Sequence, residues 1–335
     1  MSTVLELFGR ALDARAQRLD GAHDQALRLF NGYTEGAPRL AVDLYGQSLV
    51  VHDAHGPEGA PELVDQVVAA ARARLPWLTA GLVKQRESDA PALRNGTLVF
   101  GEPEQLCRRV QEEGVSYALR LTLNRDASLY LDTAPLRTWA KQKLGGKRVL
   151  NAFAYTGSLS VAAKAGGATR VVSTDLNRAF LSVAKDSWAL NRWPISRTEF
   201  LTGDFFDVVG RLKKENQLFD CVFVDPPFFS VTPQGRVDLE RDMLRLINKV
   251  RPLVAHEGWL VALNNGVFVS GADFEKTLGE ACNDGYLSVE ERIDAPLDFA
   301  GYESTREGAL PADPAPYTHS TKMAVLKVRR KDERR

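Results

Sequence analysis

Residues 148–175 read RVLNAFAYTGSLSVAAKAGGATRVVSTD. A short apolar, β-branched run, RVLNAFA, leads through a loop containing Gly157 into the helical stretch SLSVAAKAG, and a second run, RVVSTD, ends on Asp175. The alternation continues outward: RAFLSVAKDSWALN, EFLTGD, FDVVGRLKK, FDCVFVD, DLERDMLRLINKVRPLV, WLVALNN and ADFEKTLGEACNDG follow in turn. Strands separated by helices need crossover connections, so these five repeats predict an α/β fold with a doubly wound, mostly parallel sheet covered on both faces. The last runs, LSVEERID and KMAVLKV, have no helix between them and are expected to pair antiparallel at one edge. The closing RRKDERR reads as a solvated or frayed end.

Before about Trp139 the texture differs. The start, MSTVLELFGRALDARAQRLDG, reads as an amphipathic helix and not as an apolar leader. From Ala26 to Val110, short alternating runs surround one helical stretch, ELVDQVVAAARARL, which predicts a small antiparallel sheet with a helix. VSYALRLTLN and ASLYLDT, separated by Arg125 and Asp126, predict a hairpin leading into the larger domain. The expected division is a helix plus small α/β domain over 1–114 and the main domain over 115–335.

Composition narrows the function classes. With 335 residues, 44% apolar and 26% charged, the chain can bury proper cores, and disorder or a fibre is excluded. Forty-three basic and 43 acidic residues give zero net charge, so any polyanion must be met by a local patch. Cys107, Cys221 and Cys282 are far apart and form neither a disulfide framework nor a zinc knuckle, which fits a reducing cytoplasm. No apolar stretch reaches the roughly 18 residues of a membrane span. His256 and His319 show no metal-ligand spacing, and no metal is expected.

In a doubly wound sheet the ligand sits beyond the carboxyl ends of the strands, so the residues ending each strand carry the chemistry. The first strand passes into Phe153, Ala154, Tyr155, Thr156, Gly157 and Ser158, where Gly157 permits close backbone approach and the free amides of a helix start favour a carboxylate or phosphate. A GxGxxG pattern is absent, which weighs against a nicotinamide enzyme. Asp175, ending the second strand, either accepts both hydroxyls of a ribose or caps the next helix, with Asn177 as a rival cap. Asp204 either accepts from an adenine amino group or caps the FDVVGRL helix. At the end of the fourth strand, Asp225, Pro226, Pro227, Phe228, Phe229 and Ser230 combine a carboxylate, carbonyls that no ladder uses and an aromatic face. Such a corner suits a planar, nitrogen-bearing substrate. The alternative is a proline-rich turn with two core phenylalanines.

The succession NAFAYTGSLS, VVSTDLN, LTGDFFD, VFVDPPFFS and ALNNG resembles class I S-adenosylmethionine-dependent methyltransferases, specifically the group that modifies bases of 23S ribosomal RNA. The resemblance runs from about Arg28 to Val328, because RLFNGYTEGAPRLAVDLYGQSLVV resembles the small α/β domain preceding the catalytic domain in that group. It implies a Rossmann-like methyltransferase sheet, S-adenosyl-L-methionine as cofactor and large-subunit ribosomal RNA as partner. It also implies that the Tyr155, Thr156, Gly157, Ser158 loop holds the methionine end, Asp175 the ribose, and Asp204 with Phe205 the adenine. Phe153 and Leu176 complete the cofactor contacts, Asp132 matches an acidic residue near the methionine part, and Asp225 to Phe228 form the transfer site. Two departures are visible: an additional N-terminal RNA-binding PUA domain of many relatives is not expected here, and Thr133, Ala134 and Pro135 stand where the family shows an LDQR-like run.

The target atom follows from the cysteines. Methylating cytosine C5 requires a thiolate that adds at C6, and relatives with that activity carry it after the fifth strand or in the DPP motif. Here those places hold Asn264, Asn265, Gly266 and phenylalanines, while Cys221 alternates with apolar strand residues and reads as core. Nitrogen methylation by direct in-line attack needs positioning and electrostatics only. DPPFFS followed by LNNG resembles the 23S guanine-N7 branch, whereas DPPF also resembles amino-methylating enzymes; guanine N7 is favoured. In this reading Asp225 and the Pro226 carbonyl position the base, Phe228 or Phe229 stacks on it, and Asn264 bonds the base edge or braces the loop. Competing readings are a methyltransferase for an exocyclic amine of another RNA, a protein amide or a small amine, and a non-catalytic RNA-binding module. Arg108, Arg109, Arg120, Arg125, Lys141, Lys143, Lys147 and Arg148 are the basic residues expected to face RNA phosphates.

Overall fold

The computed structural model describes residues 3–308 and 313–334. The chain forms two compact units, Met1–Leu131 with Pro296–Leu310, and Asp132–Ala295 with Pro311–Arg335.

The first unit opens with α1 (Val4–Arg15), started by a capping box in which the Thr3 hydroxyl accepts from the Glu6 amide and the Glu6 carboxylate from the Thr3 amide. Then come β1 (Ala26–Asn31), α2 (Gly32–Glu35), β2 (Leu40–Tyr45), β3 (Ser48–Asp53), α3 (Pro61–Arg74), β4 (Ala80–Gln85), α4 (Pro91–Asn95) and β5 (Thr97–Phe100), and the five strands lie side by side in chain order. The sheet is mixed, not purely antiparallel: β3 and β4 run parallel, because the α3 crossover brings the chain back to the same edge. A hairpin of β6 (Arg109–Glu112) and β7 (Val115–Ala118) turns at Glu113 and Gly114, both at positive φ as a two-residue type I′ turn requires. The hairpin therefore closes earlier than the sequence pattern suggested. ASLYLDT forms no strand, and the first unit runs on to Leu131 instead of ending at 114.

The second unit contains α5 (Ala134–Lys143), β8 (Arg148–Ala152), α6 (Ser158–Ala165), β9 (Arg170–Asp175), α7 (Arg178–Leu190), β10 (Phe200–Thr202), α8 (Phe205–Lys214), β11 (Phe219–Val224), the small hairpin β12 (Phe229–Thr232) and β13 (Gly235–Asp238), α9 (Met243–Val250), β14 (Val254–Asn264), α10 (Gly271–Cys282) and β15 (Leu287–Ile293). After β15 the chain returns to the first unit through α11 (Leu297–Ala300) and comes back for β16 (Lys322–Val328). The seven-stranded sheet has the order β10-β9-β8-β11-β14-β16-β15. Its strands are parallel except β16, which is antiparallel to both neighbours, so the expected antiparallel edge is present. Leu150, Val172, Val222 and Leu260 are fully buried at its centre, under the apolar faces of α8 and α9. No described helix is long and apolar enough to cross a membrane.

Of the C-terminal basic segment, residues 329–334 are described, and they are fastened, not frayed. The Arg330 guanidinium donates to the carbonyls of Pro252 and Val254 at 2.8 and 3.0 Å, and the His256 amide donates to the Arg334 carbonyl at 2.7 Å. Hydrogen-bonded to backbone at the amino end of β14, Arg330 is a clamp.

Candidate active site

Strand order reverses between β8 and β11: β9 and β10 extend the sheet on one side, and β14 on the other. A crevice opens beyond the carboxyl ends at such a point. The registers align its rims, since Ala152 pairs with Thr174 on one side and Val224 on the other, so Phe153, Asp175 and Asp225 leave the sheet side by side.

The first rim is a tight loop. Phe153, Tyr155 and Gly157 all have positive φ, a conformation costly for the two aromatic residues and sustained only where the surroundings fix it. They do so here: the Tyr155 amide donates to Asp175 Oδ2 at 2.8 Å, the Ala154 amide to the Thr174 carbonyl at 2.8 Å, and the Phe153 ring stacks on Phe205 with centroids 4.4 Å apart. Gly157 precedes α6 and provides no side-chain cap, so the amides of its first turn face the crevice without one. A Cβ there would lie 2.7 Å from Ala184 Cβ on α7, in addition to the backbone strain. If the loop holds the S-adenosyl ligand that the sequence resemblance implies, Gly157→Val weakens S-adenosylhomocysteine binding at least tenfold by calorimetric titration, about 1.4 kcal/mol, while far-UV circular dichroism stays unchanged. Wild-type affinity in that variant would contradict the loop's role.

Asp175 does not cap α7. The Asn177 side chain does so, accepting from the Ala179 amide at 2.9 Å. Asp175 instead accepts from the Tyr155 and Asn177 amides, one on each oxygen, and burial pushes its carboxyl above the ordinary range despite those bonds. Its neighbour Leu176 is 58% exposed, an apolar surface beside the carboxylate. Asp204 is the α8 cap: Oδ1 accepts from the Phe206 amide at 2.7 Å, and Oδ2 from the Thr232 hydroxyl at 2.7 Å. The capping alternative is thus what its geometry displays, and Phe205, 6% exposed and stacked on Phe153, belongs to the core, so the partly buried Phe153 ring is the aromatic surface there.

The second rim is the Asp225–Phe228 corner. Burial, with the Asp132 carboxylate beside it, pushes the Asp225 carboxyl up to about 7. Asp132 is held by the Thr321 hydroxyl at 2.5 Å. Phe228 and Phe229 are 49% and 57% exposed, so they are not core residues, and the proline-rich turn presents an open aromatic face. Asn264, fully buried at the end of β14, turns its Oδ1 back onto the Gly266 amide at 3.0 Å, which makes it a brace of its own loop. Paired with it across the sheet, buried Lys322 donates to the carbonyls of Gly266 and Ser320.

Four features escaped the sequence reading. Lys322 opens a strand and resembles an ordinary surface lysine. Thr321 acts on a residue almost two hundred positions away. Phe268, 79% exposed on the loop after β14, looked like one more apolar residue. Asn151 left a signal, a polar residue inside an apolar run: its Nδ2 donates to Ser160, which bonds Ser173, and this chain pins α6 to β8 and β9 beneath the loop.

The basic residues expected to face RNA fall in separate places. Arg108, Arg109, Arg120 and Arg125 belong to the first unit. Lys147 and Arg148 stand at the amino end of β8, the edge opposite the crevice, and Arg148 is bound to Asp220 through its amide and guanidinium. That run leads into the strand whose far end carries the site.

An uncapped helix start, a carboxylate at the second strand end, an exposed leucine and an aromatic stack together fit a nucleoside joined to an amino acid. Fold and site therefore define a class I, nucleoside-cofactor-binding α/β enzyme. The family model for S-adenosylmethionine-dependent methyltransferases matches residues 82–308, more than half of the chain, and the chain belongs to that family, with S-adenosylmethionine as its cofactor.

Relatives include ribosomal RNA large subunit methyltransferase I of Photobacterium profundum, 27% identical over 282 residues that cover 82% of this chain and 70% of the relative. Ribosomal RNA large subunit methyltransferase K/L of Shewanella oneidensis is 32% identical over 280 residues, and the match spans only 38% of its length. The candidate methyltransferase SMU.776, crystallised with SAH, superposes with a TM-score of 0.82 at 22% identity over 97% of this chain and 80% of its own, a likeness of fold.

Proposed function

We propose that the protein transfers a methyl group from S-adenosylmethionine to a base nitrogen of 23S ribosomal RNA, guanine N7 in the first place, by direct in-line attack. The observation that carries the reading is the Asp225–Phe228 corner: a carboxylate and proline carbonyls beside exposed aromatic rings, with no thiol. Cys221 is fully buried within β11, and burial raises its thiol well above the usual range. Cys282 lies on α10 and Cys107 in the first unit. The names of the relatives favour large-subunit RNA over a protein amide or a small amine.

S-adenosylmethionine supplies the methyl group on a sulfonium and leaves as a neutral thioether. The α6 start holds its carboxylate, Asp175 its ribose hydroxyls, and exposed Leu176 an adenine face, with the Phe153–Phe205 stack backing the pocket. Asp225 and the Pro226 carbonyl orient the base and offset the positive charge that develops as nitrogen is alkylated, while Phe228 or Phe229 stacks on its ring. An exocyclic amine would use the same acceptors, and is the second reading.

The test is methyl transfer from labelled S-adenosylmethionine to deproteinised 23S RNA, with transfer RNA for comparison, followed by nucleoside mass spectrometry. 7-Methylguanosine is expected from 23S RNA. An N-methylated exocyclic amine would move the target atom, and 5-methylcytidine or no labelled RNA would overturn the reading.

A further inference from the structure

The sequence offered no basic cluster near the transfer corner, yet the fold assembles one from α8 and α9. Phe206, next to the Asp204 cap, lies under two cations: the Arg245 guanidinium 5.1 Å and the Lys249 ammonium 5.8 Å from its ring centre. Arg245 and Lys249 are one turn apart on α9, and Lys213 is two turns from Phe206 on the same face of α8. Arg245 is compensated by Asp242 at 3.1 Å, whereas no carboxylate forms a salt bridge with Lys213 or Lys249 among the described residues. Burial and the Lys249 charge hold the Lys213 ammonium below the usual lysine range. Two neighbouring ammonium groups without a carboxylate cost the free protein energy, and an anion between them removes that cost.

The patch is tied to the transfer corner by the β12–β13 hairpin, which begins directly after it. The hairpin turn rests on Phe206, where a Cβ at Gly235 would come within 2.7 Å of the ring, and its Thr232 hydroxyl bonds Asp204. Its outer surface shows Phe229 and Val231, 57% and 66% exposed. From Phe229 to Thr232 the arm spans roughly 10 Å, a few nucleotides of one strand at about 3.4 Å each.

We propose that Lys213 and its neighbour Lys249, the latter seated with Arg245 over Phe206, bind a backbone phosphate of the RNA strand whose base enters the Asp225–Phe228 corner, with the hairpin as the apolar path between them. The inference rests on the RNA reading above, and it assigns register on the strand to a surface on the adenine side of the site, away from the Lys147–Arg148 edge.

The experiment measures 23S RNA fragment binding and methyl transfer across a salt series for wild type, K213Q/K249Q and the control K143Q/K147Q. Glutamine keeps the stem and removes the charge. K213Q/K249Q is expected to weaken RNA binding about tenfold, to raise the KM for RNA with kcat nearly unchanged, and to lower the slope of log affinity against log salt by roughly 1.5. S-adenosylhomocysteine affinity should stay at the wild-type value, which also verifies folding. Unchanged affinity and slope in that variant, or an equal loss in the control, would overturn the phosphate site. Wild-type protein that neither binds nor methylates RNA would defeat the function reading instead, and that result is seen before any variant is made.

Discussion

A Glu35→Ala protein is expected to lose about 3–5 kcal/mol of stability, read as a lower urea midpoint than wild type. Arg15 and Glu35 are both completely buried, and two nitrogens of the guanidinium donate to the two carboxylate oxygens at 2.8 and 3.2 Å. The carboxylate also accepts from the Asn31 amide at 2.7 Å and the Thr305 hydroxyl at 2.6 Å, while Arg15 donates to the carbonyls of Ala11, Arg28 and Asp298. α1, β1, α2 and the returning segment 296–308 thus converge on one ion pair inside the first unit. Alanine leaves a buried cation and an unsatisfied amide, which costs more than the pair contributes over an apolar substitute. The double variant Arg15→Met with Glu35→Leu is accordingly expected to recover a large part of the loss. As a reference, Glu215→Ala, which breaks an exposed pair with Arg211 one turn away, should cost at most about 1 kcal/mol. Equal midpoints for Glu35→Ala and Glu215→Ala would refute this account.

The periodic half of the chain was legible because a parallel sheet leaves long apolar runs and its ligand residues fall at predictable strand ends. That Asp175 and Asp225 stand at strand ends could be read from sequence alone, and the structure puts them there. The first unit was less legible: a parallel step inside a mostly antiparallel sheet depends on where α3 returns the chain, and alternation does not encode direction. Two-residue turn chemistry at Glu113 and Gly114 decided the hairpin against the longer apolar pattern that suggested Arg125 and Asp126. Lys322, Thr321 and the Phe206 patch were invisible for another reason. Their roles come from neighbours brought together by β16 and by the α8–α9 contact, and a lysine in a strand or on a helix face gives no local sign of its partner. Asp204 shows the converse, a residue whose strand-end position is legible and whose observed bonds are those of a helix cap.

Asp225→Asn is expected to reduce methyl transfer at least about a hundredfold, the scale of losing one preorganised electrostatic group, and at the same time to make the protein more heat-stable at pH 8. The carboxyl moves from an ordinary value of 3.8 to about 7 in the folded chain, through burial first and the Asp132 charge second. Below pH 3.8 the group is protonated whether or not the chain is folded, and its contribution to stability is fully present. As pH rises from 3.8 towards 7 the unfolded chain ionises more readily than the folded one, so that contribution is lost progressively and is gone above 7. Asparagine resembles the neutral acid at every pH. Variant and wild type should therefore melt together near pH 4, and the variant should melt several degrees higher at pH 8. The same repulsion is useful once a cation is bound between these rims, because the sulfonium favours the ionised carboxylate. Wild-type affinity for S-adenosylmethionine should accordingly rise from pH 6 to 8 with proton release seen by calorimetry in two buffers, and the rise should be smaller for the neutral thioether S-adenosylhomocysteine. In Asp225→Asn the difference between the two ligands should lose its pH dependence. A variant that melts below wild type at pH 8, or one whose ligand preference still changes with pH, would show that the charge conflict lies elsewhere in the site.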